Sequence, residues 1–158
     1  MTARRPALPP FQVLLDSYKD DVYRFLTGLL GPGDADDCFQ ETFLAALRAY
    51  PALGDGRNLR SWLLTIAHHK AVDRVRAARP TVPLDAAPHP THPGPSEPDP
   101  ALWAEVAALP GKQRAAVVLR FVNDMAYRDI GAVLDCSEAA ARRSTHEGGK
   151  RLREVIER

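Results

Sequence analysis

The side chains able to do chemistry in this chain are mostly cations, and they are unevenly placed. Over residues 60–79, Arg60, Lys70, Arg74, Arg76 and Arg79 oppose a single acid, Asp73, for a local charge of +4. Over 137–158 six basic residues oppose four acidic ones, a local +2, and Arg142, Arg143, His146 and Lys150 stand close together. Residues 11–50 reverse the sign: Lys19, Arg24 and Arg48 meet seven carboxylates, among them Asp34, Asp36, Asp37 and Glu41, for −4. The whole-chain charge of +1 averages these differences away. Clustered cations bind phosphates by releasing counterions, whereas an acidic stretch suits a basic protein surface. The pattern points to two phosphate-facing surfaces and one for a protein partner.

Bond-making chemistry has less to build on. His68 and His69 could join Asp73 around a metal, but adjacent side chains leave a helix on different faces. Adding His89 and His92 completes no trio of ligands at fixed spacing. A small metal-dependent hydrolase is set aside on that ground, and the expectation is no enzyme, no metal and no cofactor. Cys38 and Cys136 lie too far apart for a CxxC site or a disulfide framework, and both read as small side chains in buried or half-buried places. No run approaches the roughly eighteen uncharged apolar residues of a membrane span, and no apolar run follows Arg4 and Arg5 to make a secretion signal. A cytoplasmic protein is expected.

The elements that position these charges read as helices throughout. Phe11, Leu14, Leu15, Tyr18, Val22, Phe25, Leu26 and Leu29 recur at three- and four-residue steps, one stripe of a first helix stopped by Gly31-Pro32-Gly33. Asp34 is the expected cap of a second helix, with Cys38 or Phe39, Thr42, Phe43, Ala46 and Leu47 inward and Asp36 and Asp37 at the positive end of its dipole. Asn58 caps a third, in which Leu59, Trp62, Leu63, Ile66 and Ala67 face the core and Lys70 and Arg74 share an outer face. Eight prolines in residues 80–100 exclude helix and sheet there, so that stretch reads as an extended spacer. At about 3.1 Å per residue it could reach roughly 60 Å, between one and two turns of a duplex.

Beyond the spacer, Asp99-Pro100 opens a short helix to Leu109, and Pro110 takes the first-turn position of another running to about Val122. After a turn at Asn123-Asp124, a helix from Tyr127 to Leu134, a tight corner at Asp135-Cys136 and a last helix capped by Ser137 follow. Helix, tight turn, helix is the arrangement that lays a second helix in a DNA groove. On that last helix Ala141, Thr145, Gly148, Leu152 and Val155 share one side, and Arg142, His146, Lys150 and Arg153 another. The fold class is therefore all-α, with a helical module at 8–79, a proline-rich linker at 80–100 and a helix-turn-helix module at 101–158.

Two stretches carry more than helical pattern. The run from Asp34 through Gln40-Glu41-Thr42-Phe43 to Arg48, and the run from Leu59 through Trp62 to Arg76, resemble region 2 of bacterial sigma factors. The stretch from Leu109-Pro110 through Tyr127-Arg128-Asp129-Ile130-Gly131 to Arg153 resembles region 4. Their order, with only a linker between, is similar to the extracytoplasmic-function (ECF) group. The resemblance implies a transcription initiation factor with core RNA polymerase and promoter DNA as partners, and an anti-sigma protein as a further one.

Residue by residue, it implies that Asp36, Asp37, Gln40, Glu41 and Leu44 dock on the polymerase core. Arg57, Asn58, Arg60, His68, His69, Lys70, Arg74 and Arg76 would hold the −10 element, where loop 53–58 captures a base turned out of the stack. Ser137, Arg142, Arg143, His146 and Lys150 would meet the −35 element. The phase of Trp62 with Leu59, Leu63 and Ile66 assigns it to the core rather than to stacking on a base.

Some positions depart from the family's pattern. His68-His69 stand where Arg-Asn is usual, Asp135 where glycine is, Ala141 where a larger apolar residue is, and Ser144 where a basic residue is common. Gly148-Gly149 is expected to shorten or bend the last helix, since each glycine costs roughly 1 kcal/mol against alanine. These departures leave a second reading open, a sigma-like DNA-binding regulator or adaptor without initiation activity.

Overall fold

The computed structural model describes residues 8–53, 58–78 and 100–157, and every regular element among them is helical. Arg57 and the proline-rich stretch 80–99 lie outside the described residues. Helix α1 (Phe11–Leu30) buries Leu14, Val22, Phe25 and Leu26, the stripe set by their spacing. It stops at Gly31, whose φ of 80° suits a residue without Cβ, and whose N–H closes on the Thr27 carbonyl.

Helix α2 (Pro32–Ala49) begins at once, with Pro32 in its opening turn, where the missing N–H breaks no hydrogen bond. Gly31, rather than the expected Asp34, is therefore the cap residue. Asp34 instead sits in the first turn, still near the positive end of the dipole. A 3-10 turn (Tyr50–Ala52) follows, tied back when the Tyr50 hydroxyl donates to the Pro9 carbonyl. Helix α3 (Leu59–Ala78) is capped as expected: Asn58, at a left-handed φ of 53°, accepts from the Ser61 N–H at 3.2 Å. Leu59, Leu63, Leu64, Ala67 and Ala71 of α3 close a three-helix bundle, and Trp62 packs half-buried against its core.

The second module starts with α4 (Pro100–Ala108) and α5 (Gly111–Val117). Pro110 precedes α5 as its cap residue instead of occupying the first turn. The expected continuation to Val122 is present but wider, a π turn (Val118–Val122) in which the Asn123 N–H reaches back five residues to the Val118 carbonyl at 3.1 Å. Helix α6 (Tyr127–Leu134) ends at Asp135, left-handed at φ 55°, a conformation that Asp tolerates better than most residues. Ser137 then caps α7 (Glu138–Ile156), its Oγ accepting from the Ala140 N–H at 3.0 Å.

The glycine pair does not interrupt α7, which runs unbroken through both residues. A Cβ on Gly148 would lie 2.6 Å from Cγ2 of Val117, so its bare backbone is what lets α7 approach α5. Packing outweighs propensity at this position. The expectation that the pair interrupts and shortens the helix is corrected accordingly.

The two modules share one apolar core, with Val118, Leu119, Met125 and Ile130 joining the residues of α1 and α3. Along this seam α3 packs on α6, and α1 on α4, α5 and the π turn. Gly28 permits the close approach, since a Cβ there would meet Val118 Cγ1 at 2.9 Å and Trp103 at 3.3 Å. Arg114 crosses the same seam, donating to the Leu29 carbonyl at 3.2 Å and to Ala107 and Leu109 carbonyls. It thereby satisfies the open carbonyl ends of two helices with one guanidinium.

Candidate nucleic-acid interface

The residues expected to dock on the polymerase lie on one helix. Asp36, Asp37, Gln40, Glu41 and Leu44 are all exposed on α2, and Leu44 and Leu47 are each about half exposed, at 52% and 50%. The Tyr23 hydroxyl pKa is held up first by burial and then by the neighbouring Asp36 carboxylate. Asp37 has a cationic partner inside the chain: Arg74 of α3 reaches it at 3.0 Å and Asp34 at 3.1 Å.

Helix α3 separates the −10 set into distinct environments. His69 and Arg76 are exposed and Lys70 is half-buried, and none of the three has an ion pair among the described residues. Arg74 is half-buried, its fork spent on the two α2 carboxylates. His68 was expected to face DNA but falls on the stripe of Leu64 and Ala71, and its ring lies half-buried with its centroid 6.4 Å from that of Phe25. Its Nδ1 has neither solvent nor a partner. Burial, then the neighbouring His69, lowers its pKa and favours the neutral ring. No group of three or more His, Cys, Asp or Glu side chains is placed to hold a metal among the described residues.

The start of α3 is tied to the other module. Arg60 donates to both carboxylate oxygens of Asp21, at 2.9 and 3.2 Å, and to the Asn123 carbonyl. Asn123, 1% exposed, donates its side-chain amide to the Asp21 carbonyl at 2.9 Å. Asn58 donates to Asp129 at 3.2 Å. Asp21 and Asn123 escaped the sequence reading because nothing local marks them. One looks like an ordinary acidic residue on a helix, and the other like a solvated turn.

On α7 the faces divide by the helical repeat. Ala141, Thr145 and Gly148 are buried, while Arg142, Arg143, His146 and Lys150 are exposed. Ser137 spends its hydroxyl oxygen on the cap. Arg142 reaches Glu138 at 3.4 Å and lies over the Tyr127 ring, 5.1 Å from its centroid. Arg143 and Lys150 have no ion pair among the described residues. Behind this helix a cavity of about 590 Å³ is lined largely by apolar groups, including Trp103, Phe121, Val122 and Leu152.

This arrangement, a bundle with a cationic third helix followed by a helix-turn-helix, can now be set beside known proteins. Residues 14–81 match the family described as Sigma-70 region 2, and residues 100–152 match Sigma-70, region 4. The ECF RNA polymerase sigma factor SigC of Mycobacterium tuberculosis is 33% identical over 132 residues, covering 79% of this chain and 71% of the relative. The chain belongs to the ECF RNA polymerase sigma factors. SigW of Bacillus subtilis is 26% identical over 165 residues, 92% of this chain and 88% of SigW. The Bartonella quintana sigma factor RpoE, solved in complex with the anti-sigma factor NepR, shares the fold with a TM-score of 0.78 at 21% identity, over 93% of this chain and 96% of RpoE.

As an ECF sigma factor the chain acts in transcription initiation. The region 2 match spans α1 to α3, and the region 4 match spans α4 to most of α7. In this sigma factor the two regions meet through Arg60, Asp21, Asn123, Asn58 and Asp129. No helix among the described residues is long and apolar enough to cross a membrane.

Proposed function

We propose that this sigma factor directs core RNA polymerase to its promoters in the cytoplasm, with three helices dividing the work and no bond made or broken by the chain itself. α2 docks on the core through Asp36, Asp37, Gln40, Glu41 and Leu44, an acidic surface with an exposed leucine at its carboxyl-terminal end. α3 meets the −10 element through His69, Lys70 and Arg76, with Asn58 and Arg60 joining when their contacts to the second module are exchanged for phosphates. Arg74 ties that surface to α2 through Asp34 and Asp37, and His68 packs beneath it. Arg57 belongs to the same set but lies outside the described residues.

The observation that carries this reading is α7: its small residues Ala141, Thr145 and Gly148 are sunk into the module while Arg142, Arg143, His146 and Lys150 stay exposed. A helix in that position, cationic outward and following a tight turn, suits the major groove at the −35 element. The alternative, a regulator without initiation, is motivated by the departures in the recognition helix, and one of them, the glycine pair, leaves α7 continuous. The structural neighbour RpoE was solved with the anti-sigma factor NepR, and such a protein is the expected inhibitor here too.

The test is reconstitution of the full chain with core polymerase on a promoter library. Initiation should depend on the sigma factor, and Glu41→Lys should weaken core binding. Lys150→Ala should weaken promoter binding evenly across sequences and reduce the salt slope by about one unit. A folded chain that binds core yet starts no transcript would overturn the proposal.

A further inference from the structure

Tyr127, the first residue of α6, holds two guanidinium groups against one ring. Arg120, half-buried on the π turn, lies with its guanidinium carbon 4.4 Å from the ring centroid, and Arg142 of α7 lies 5.1 Å from it. Arg120 is itself fixed, donating to the Met125 carbonyl at 3.0 Å. The ring is half-buried and borders the apolar cavity behind α7, so it has a packed support as well as a polar one. Arg142, by contrast, stands on the open face of α7, and its only ion pair among the described residues is a long one of 3.4 Å to Glu138. An exposed arginine normally samples many rotamers, and that freedom is lost when it binds. A ring beneath the guanidinium confines it beforehand while leaving its N–H edge free to donate.

Arg142 is the fifth residue of α7, in the amino-terminal part of the helix, where a recognition helix reaches base edges rather than only the backbone. A guanidinium placed there suits the two acceptors, O6 and N7, of a guanine. We infer that Tyr127 is a positioning residue for promoter recognition: its ring presents Arg142 to a base edge in the −35 element and so sharpens the choice of base at that place. The inference rests on the reading of α7 as the −35 helix. Arg143 and Lys150, which have no ring beneath them among the described residues, supply backbone contacts instead.

The experiment uses holoenzyme made from the full chain and core polymerase, transcribing a library randomised across the −35 region upstream of one fixed −10 sequence. Sequencing the transcripts gives a base preference at each position. Arg142→Ala should abolish the preference at one or two adjacent positions. Tyr127→Leu should lower the preference at those same positions about two- to five-fold, the range of an exposed cation–π contact, and Tyr127→Phe should retain it. Should Tyr127→Leu not fold, Arg120→Met removes the second cation over the ring without altering α6, and it should give a smaller loss at the same positions.

If Arg142→Ala erases the preference but neither Tyr127→Leu nor Arg120→Met changes it, the positioning role fails while the −35 role of α7 stands. A uniform loss at all positions would mean that Tyr127 acts only through folding, and would also overturn the inference. If Arg142→Ala itself has no effect, the base contact by Arg142 fails and the role of Tyr127 with it.

Discussion

Two adjacent glycines in α7 should respond to the same substitution with opposite signs. In a helix interior alanine is favoured over glycine by roughly 1 kcal/mol. At Gly149 a new Cβ meets nothing within 4 Å, so Gly149→Ala should keep that whole gain. At Gly148 the Cβ would stand 2.6 Å from Cγ2 of Val117 and 3.4 Å from the Cβ and carbonyl oxygen of Gln113. Val117 is a β-branched residue only 5% exposed, with no flexible end to swing aside. Forcing a methyl group into such a contact costs about 1–3 kcal/mol.

Set against the propensity gain, Gly148→Ala should come out between neutral and about 2 kcal/mol destabilising. For a chain of this size 1 kcal/mol moves the midpoint by about 2–4 °C. Thermal melts followed by circular dichroism should therefore place Gly149→Ala about 2–4 °C above the parent and Gly148→Ala at or below it. Adding Val117→Ala to Gly148→Ala should recover part of the loss, with a coupling of about 1 kcal/mol between the two sites. Equal stabilisation by the two alanines would refute the close packing of α7 on α5.

Asn123→Ala should cost about 1–3 kcal/mol in urea unfolding, because it deletes a buried donor at the seam between the regions, and a change within about 0.5 kcal/mol would contradict that role. His68 titrates lower in the folded chain than in the unfolded one, chiefly because of burial, so below its ordinary value of 6.5 the unfolded chain binds the proton more readily. Stability should then fall as the pH drops from 6.5 towards the lowered folded value, and His68→Gln should flatten that fall. A melting profile between pH 7.5 and 5.5 identical in parent and variant would count against it. Burial also pushes the Cys38 thiol up, with Arg74 opposing only in part, whereas Cys136 is half-buried. Iodoacetamide followed by peptide mass spectrometry should find Cys136 alkylated first in the native protein and Cys38 only on unfolding; equal rates would show that Cys38 is not enclosed.

The −10 set illustrates how far residue types alone lead. Arg60, Arg74 and Arg76 carry the same charge and stand on one helix. In the folded chain one is held by Asp21 and the Asn123 carbonyl, one by Asp34 and Asp37, and one is exposed. Arg60 and the Asn123 carbonyl are 63 residues apart in the chain. No local period connects them, and so no spacing rule could have separated a cation that is free for phosphate from one already engaged.

What the sequence determined by itself was local. The apolar stripes of α1, α2 and α3, the Asn58 and Ser137 caps, the corner at Asp135 and the two cationic helices follow from φ/ψ preferences and the 3.6-residue repeat, which act within a turn or two of chain. The family resemblance was legible for the same reason, since it rests on contiguous motifs. Tertiary structure alone decided that Gly148 is a contact and not a break, that His68 turns inward, that Tyr127 gathers Arg120 and Arg142, and that the two regions meet through a buried asparagine. Each of these depends on which surfaces approach within a few ångströms, and that distance is set by the packing of the whole chain.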